Sequence, residues 1–160
     1  MVNSVTVRGR AIGPGHPCFI IAEAGVNHDG DLDVAKRLVD AAVDAGADAV
    51  KFQTFKPEKL ATAAAPKARY QLSTTDPAES QLDMLRRLEL TPEHHHALVA
   101  YCEARKILFL STPFEESSAD LLESLNVSVY KIPSGEITNL PLLTHVARKQ
   151  RPILLSTGMS

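Results

Sequence analysis

The sequence predicts an α/β protein of the TIM (β/α)8-barrel class, truncated here to about the first five βα units. Three observations carry that expectation. Short apolar runs of strand length alternate with stretches whose apolar residues recur at helical spacing, the pattern of parallel strands joined by right-handed crossovers. Nearly every strand run is apolar until its last residues. Polar residues then recur at that same end: Glu23, Lys51, Gln53, Thr112, Lys131, Ser134 and Ser156. A barrel gathers its strand C-termini on one rim, which carries its chemistry. An open doubly wound sheet uses only the crevice where strand order reverses. Loops that begin at strand ends account for serines and threonines, but poorly for Glu23, Lys51 and Lys131.

The elements follow in order. Val5–Val7 and Ala11–Ile12, with Gly13–Pro14–Gly15 behind them, read as a short hairpin and turn. Cys18–Phe19–Ile20–Ile21–Ala22 is the first strong strand, and Glu23 to Gly30 is a polar loop after it. Asp31 offers an N-cap, Leu32, Ala35, Leu38, Val39, Ala42 and Val43 form one apolar stripe, and Gly46 stands where a helix stops. In the second strand, Ala47 to Thr54, period two puts Lys51 and Gln53 on one face and Val50 and Phe52 on the other. A lysine there means either an edge strand with one wet face or a covered parallel strand with a polar interior.

Phe55 to Thr75 is too long for a simple connection and reads as a lid with a short helical turn. Asp76–Pro77–Ala78–Glu79 has N-cap, first-turn proline and capping-box spacing ahead of Leu82, Leu85 and Leu88. Thr91–Pro92–Glu93 starts a further helix, with Leu98, Tyr101 and Cys102 inward. Within it, His94–His95–His96 points three ways, because neighbours on a helix diverge by about 100°, so no metal site is expected there. Ile107 to Thr112 is the third strand, ended by Pro113, and a helix through Ala119, Leu122 and Leu125 follows. Val127–Tyr130 is the fourth strand. It runs into Lys131–Ile132–Pro133–Ser134–Gly135–Glu136, a cation, a turn whose N–H groups suit an anion, and a carboxylate. Asn139 caps a helix through Leu142, Leu143 and Val146, and Pro152 to Gly158 is the fifth strand.

Composition narrows the function classes. With 44% hydrophobic and 22% charged residues the chain is an ordinary globular one. A net charge of -2, from 17 basic and 19 acidic residues, argues against nucleic acid or an anionic membrane surface as partner. No apolar run has spanning length and the start has no long apolar core, so a cytoplasmic protein without a signal peptide is expected. Cys18 and Cys102 are then two buried, reduced thiols. The Asn126–Val127–Ser128 glycosylation pattern is accidental in that compartment.

Five motifs occur in one order: Ile21–Ala22–Glu23–Ala24–Gly25–Val26–Asn27–His28, Val50–Lys51–Phe52–Gln53–Thr54, Ser111–Thr112–Pro113–Phe114, Lys131–Ile132–Pro133–Ser134–Gly135–Glu136 and Leu155–Ser156–Thr157–Gly158–Met159. With them the sequence resembles the sialic acid (N-acetylneuraminate) synthase family from about Cys18 to its end. Ala65–Pro66–Lys67–Ala68–Arg69–Tyr70–Gln71 and Lys131–Ile132–Pro133–Ser134 look most like bacterial legionaminic acid synthases. The resemblance implies condensation of phosphoenolpyruvate with an N-acylated hexose, N-acetylmannosamine or a 2,4-diacetamido relative, to give a nonulosonic acid and phosphate. It implies a TIM barrel followed by a small antifreeze-like domain, a domain-swapped homodimer, and a divalent metal, manganese or magnesium.

By resemblance, Lys51, Gln53, Thr112, Lys131, Ser134 and Ser156 would hold phosphoenolpyruvate. Glu23 and Glu136 would handle protons or orient water, with Asn27 and His28 possible sugar contacts. The family's metal-binding histidines lie on later strands, so no metal ligand is expected in this segment. Residues 1–17 would be a hairpin cap and 18–160 the N-terminal part of the barrel, expected to be inactive alone. Two other readings stay open: a Schiff-base aldolase using Lys51 or Lys131, and a non-catalytic half-barrel that binds an anion.

Overall fold

In the computed structural model, which describes residues 4–67, 71–73, 76, 78–158 and 160, an antiparallel hairpin comes first. It pairs β1 (Val5–Val7) with β2 (Arg10–Ile12), Val5 opposite Ile12. Five parallel strands follow: β3 (Ile21–Gly25), β4 (Ala49–Thr54), β5 (Leu108–Pro113), β6 (Tyr130–Ile132) and β7 (Ile153–Leu155). β3, β4 and β5 are bonded in that order, β6 is bonded to β7, and β6 lies alongside β5. The strands therefore stand in chain order, as one-directional crossovers require. Among the described residues the row is open at both ends.

The helices between them are α1 (Leu32–Asp44), α2 (Pro57–Leu60), α3 (Gln81–Leu88), α4 (Pro92–Ala104), α5 (Glu116–Ser124) and α6 (Leu140–Arg148). Local chemistry explains their starts. Asp31 accepts the N–H groups of Asp33 and Val34 at 2.7 and 2.9 Å, Thr91 accepts that of His94, and Asn139 that of Leu142. Gly46, at φ +72°, follows the end of α1 as a C-terminal glycine should. None of these helices is long and apolar enough to cross a membrane, among the described residues.

Period two divides each strand between two cores. Outward, Val50, Phe52, Phe109, Tyr130 and Ile132 pack against Val39, Leu98, Leu122 and Val146 of the helices. Inward, Ala49, Leu110 and Val129 pack with Val7 of the hairpin, Ile21 and Leu154. The hairpin thus floors the N-terminal ends of the strands. Lys51 belongs to this covered inner face, its side chain only 12% exposed, so β4 is no wet edge.

Several boundaries move. β3 starts at Ile21 rather than Cys18, and Glu23 lies inside the strand because Glu23 and Gly25 pair with Lys51 and Phe52. Cys18 is exposed, not buried, its carbonyl accepting from Arg10, while Cys102 is buried. β6 runs Tyr130–Ile132, so Lys131 is within the strand. α3 starts after Ser80, whose hydroxyl accepts from the Asp83 N–H. The Asp76–Glu79 box is not its cap, and Pro77 falls outside the described residues. The long connection contains α2 and a 3-10 turn at Gln71–Ser73; residues 68–70, 74 and 75 are outside the described set.

Gly30 shows how tightly the β3–α1 loop is seated. Its φ is +78°, and a Cβ there would run directly onto the carbonyl oxygen of Arg87 at the end of α3. Both the backbone angle and the space demand glycine. Gly30→Ala is expected to destabilise the protein by about 2–4 kcal/mol, read from the urea midpoint; an unchanged midpoint would show that the loop does not seat on α3.

Candidate active site

Four strand ends converge on two lysines. A β-bulge between Glu23 and Gly25 breaks the β3–β4 register, and bulges re-aim side chains at such ends. Gly25 takes φ +56°, and a Cβ on it would stand 3.3 Å from Glu23 Oε1 and 3.8 Å from Gln53 Nε2. Glu23 and Gln53 therefore share one wall of the site. Lys51 Nζ lies 2.5 Å from Glu23 Oε2 and donates to Thr112 Oγ1 at 3.4 Å. Thr112 is itself buried and stands opposite Gln53 across the β4–β5 ladder.

Lys131 completes the cluster from β6. Its ammonium donates to its neighbour's carbonyl, Ile132 O, at 2.8 Å. That oxygen also accepts the Ser156 N–H at 3.1 Å, so the end of β7 is tied to the same point. Burial first, and then the Lys51 ammonium, pull Lys131 below the ordinary lysine value, while Glu23 works against them. One carboxylate, its side chain 54% exposed, thus serves two cations. The site has room in its electrostatics for an anion.

Ser134 opens the 3-10 turn Ser134–Glu136, just past Ile132. Within that turn the Glu136 and Ile137 N–H groups bond back to Pro133 and Ser134. Among the described residues the Ser134 and Gly135 N–H groups donate to no protein acceptor, which fits the anion-binding turn read from the sequence. Glu136 is turned elsewhere: its Oε2 accepts from Asn139 Nδ2 at 2.7 Å, and among the described residues no bond joins it to either lysine.

Asn27 is exposed in the β3–α1 loop. His28 is not at the rim at all. Its ring is fully buried and tilted on Phe52 of the outer face, at 6.0 Å between centroids, and Nδ1 accepts the Gly30 N–H at 3.0 Å. Burial, then His95, lowers its pKa to about 4, so it is a neutral loop anchor. A sugar contact through His28 is set aside on that burial. The described residues contain no group of three or more His, Cys, Asp or Glu able to hold a metal ion; in the histidine run, His95 is buried and His96 exposed.

Sequence reasoning brought Glu23, Lys51, Gln53, Thr112, Lys131 and Ser156 to one place, and the structure joins them. It missed the buried role of His95, for which the helical phase of Leu98 and Cys102 was a usable signal.

Residues 38–160 match the NeuB family. The chain is 53% identical over 142 residues to the N,N'-diacetyllegionaminic acid synthase of Campylobacter jejuni, covering 89% of this chain and 42% of the relative. It is 50% identical over 158 residues to the enzyme of the same name from Legionella pneumophila, covering 99% of this chain and 43% of the relative. The chain thus spans less than half the length of these relatives. Among solved structures, the N-acetylneuraminic acid synthetase of Leptospira borgpetersenii superposes with a TM-score of 0.83 at 31% identity, over 99% of this chain and 50% of that one.

The lysine pair gives a direct test. Lys51→Met is expected to raise the Lys131 titration toward the ordinary lysine value, and Glu23→Gln to lower it further, because the two neighbours act with opposite signs. Carbon-13 NMR of the lysine Cε positions against pH reads both. Shifts of reversed sign, or none, would dissolve the cluster as described.

Proposed function

The chain belongs to the NeuB family, and on that premise we propose that it is the donor-binding part of a nonulosonic acid synthase. Its substrates in this reading are phosphoenolpyruvate and an N-acylated hexose, the product a sialic or legionaminic type acid. The parallel strands are then the first part of an eight-stranded barrel. The single observation that carries the reading is the half-buried lysine pair, Lys51 and Lys131, with Glu23 as the one carboxylate acting on both among the described residues.

Phosphoenolpyruvate brings a carboxylate and a phosphate on three carbons. Lys51 and Lys131 neutralise it, Thr112 and Gln53 hold it beside β4 and β5, and the Ser134–Gly135 N–H groups with Ser156 take remaining oxygens. On binding, the donor displaces Glu23 from Lys51. The donor's methylene carbon attacks the sugar aldehyde, forming the new carbon–carbon bond as the carbonyl π pair passes to the aldehyde oxygen. That oxygen becomes a hydroxyl on taking the proton that the adding water gives up, and positive character is left at the enol carbon. Glu23, freed beside it, stabilises that centre and orients the water that adds there. The tetrahedral carbon then expels phosphate. A divalent cation of the manganese or magnesium kind belongs to the same proposal as polariser of the aldehyde, with ligands outside these 160 residues.

One observation favours a second reading. Burial and a neighbouring ammonium lower the Lys131 pKa, which is what a Schiff-base lysine requires. Borohydride with pyruvate-type substrates separates the two: a stable adduct on Lys131 selects the aldolase.

Calorimetry tests the main reading. The chain is expected to bind phosphoenolpyruvate, Lys131→Met to weaken it by about tenfold or more, and phosphate release with N-acetylmannosamine to stay at background. No binding at millimolar donor overturns the proposal. Phosphate release by the isolated chain overturns only its assignment as an incomplete enzyme.

A further inference from the structure

We propose that His95 is a positioning residue: through a buried chain of hydroxyls it sets the ends of β4 and β5, and with them Gln53 and Thr112. The inference rests on the reading that these strand ends hold the donor.

The chain is fixed down to its protons. His95 lies fully buried on α4 with Nδ1 2.9 Å from the carbonyl oxygen of Thr91. A carbonyl oxygen has no proton to give, so Nδ1 carries the hydrogen. Neutral imidazole has one N–H, which leaves Nε2 bare. Nε2 is 2.9 Å from Thr54 Oγ1, so Thr54 donates to it. Having used its proton, Thr54 Oγ1 accepts from Ser111 Oγ at 2.6 Å. The order is Ser111 to Thr54 to His95 to Thr91, with each of the three protons donated. Burial lowers the His95 pKa, which keeps the ring in the neutral state this order needs.

Its place in the sheet gives the chain its consequence. Thr54 and Ser111 face outward, and each is the immediate neighbour of an inward residue of the site, Gln53 and Thr112. Thr54 stands opposite Pro113, and its carbonyl accepts the Phe114 N–H at 3.2 Å. The hydroxyl chain therefore adds a side-chain tie across the two strands at the last step of their ladder. It also grips the sheet from α4, whose His95 ring meets Phe109 edge-on at 6.4 Å. A sub-ångström slip of β4 on β5 would carry Gln53 and Thr112 apart, and Lys51 with its Thr112 bond.

Thr54→Val and Thr54→Ser in the 160-residue chain test this. Serine keeps the hydroxyl; valine keeps the shape and removes it. Nitrogen-15 NMR of the histidine ring is expected to show His95 protonated on Nδ1. The Thr112 methyl and Lys51 Cε resonances are expected to move in Thr54→Val and to stay in Thr54→Ser. Phosphoenolpyruvate affinity is expected to fall by about tenfold in the valine variant alone, the scale of a small misplacement. Should Thr54→Val fail to fold, Ser111→Ala, which removes only the outermost donor, is read in the same way. A folded variant without the hydroxyl but with wild-type Thr112 and Lys51 resonances overturns the inference, as does an Nε2-protonated His95. If the wild-type chain binds no phosphoenolpyruvate, it is the donor-binding reading that fails. The ligand-free resonances then decide the positioning role by themselves.

Discussion

Two ammonium groups, Lys51 on β4 and Lys131 on β6, are held on the inner face of a parallel sheet where one carboxylate is their shared counter-ion. Charges withdrawn from water need compensation, and a like-charged neighbour deepens the need. Much of the local architecture answers it. The bulge before Gly25 brings Glu23 onto Lys51. Thr112 takes one lysine proton and the Ile132 carbonyl takes one from the other. Even so, the compensation is incomplete, and on the proposed reading that imbalance would drive the binding of a doubly negative donor.

The same strands carry a gradient along their inner face. At the floor, Ala49, Leu110 and Val129 meet Val7 of the hairpin and form a dry plug. One or two steps further along each strand the inward residue is Lys51, Thr112 or Lys131. The plug excludes water from below, which strengthens each polar contact above it. Below the Thr54–Ser111 end the outer face packs instead: Val50, Phe52 and Phe109 there meet helix side chains. A single period-two alternation thus supplies both packing and chemistry, and a register slip of one residue would exchange them.

That alternation is why much of the site was legible in the sequence. Lys51 and Gln53 against Val50 and Phe52, with helices either side, left only the choice between a wet edge and a polar interior. The caps Asp31, Thr91 and Asn139 were legible for a related reason, since each acts within four residues of itself. What depended on distant partners was not. Glu23 reads as a loop residue until β4 is placed beside it and the bulge appears. His28 looks like a polar rim residue, yet its ring is buried because Gly30 and Phe52 hold it inward. Ser80 displaced the better-looking Asp76 box as the cap of α3, a choice made by where Leu82 and Leu85 must be buried.

Glu23 and Glu136 are held in unlike ways, and on the proposed reading this divides their roles. Glu23 is paired to Lys51, a cation for which, on the proposed reading, the donor anion would compete. Glu136 is paired to Asn139, a neutral amide whose orientation is itself fixed: Asn139 Oδ1 accepts the Leu142 N–H at the start of α6, so its Nδ2 must face Glu136. Binding of a dianion to the lysines would, on the proposed reading, release Glu23 and leave Glu136 in place. On the proposed reading, Glu23 is then the group that changes partners during the reaction. Glu136 is set by α6 and keeps its position through it.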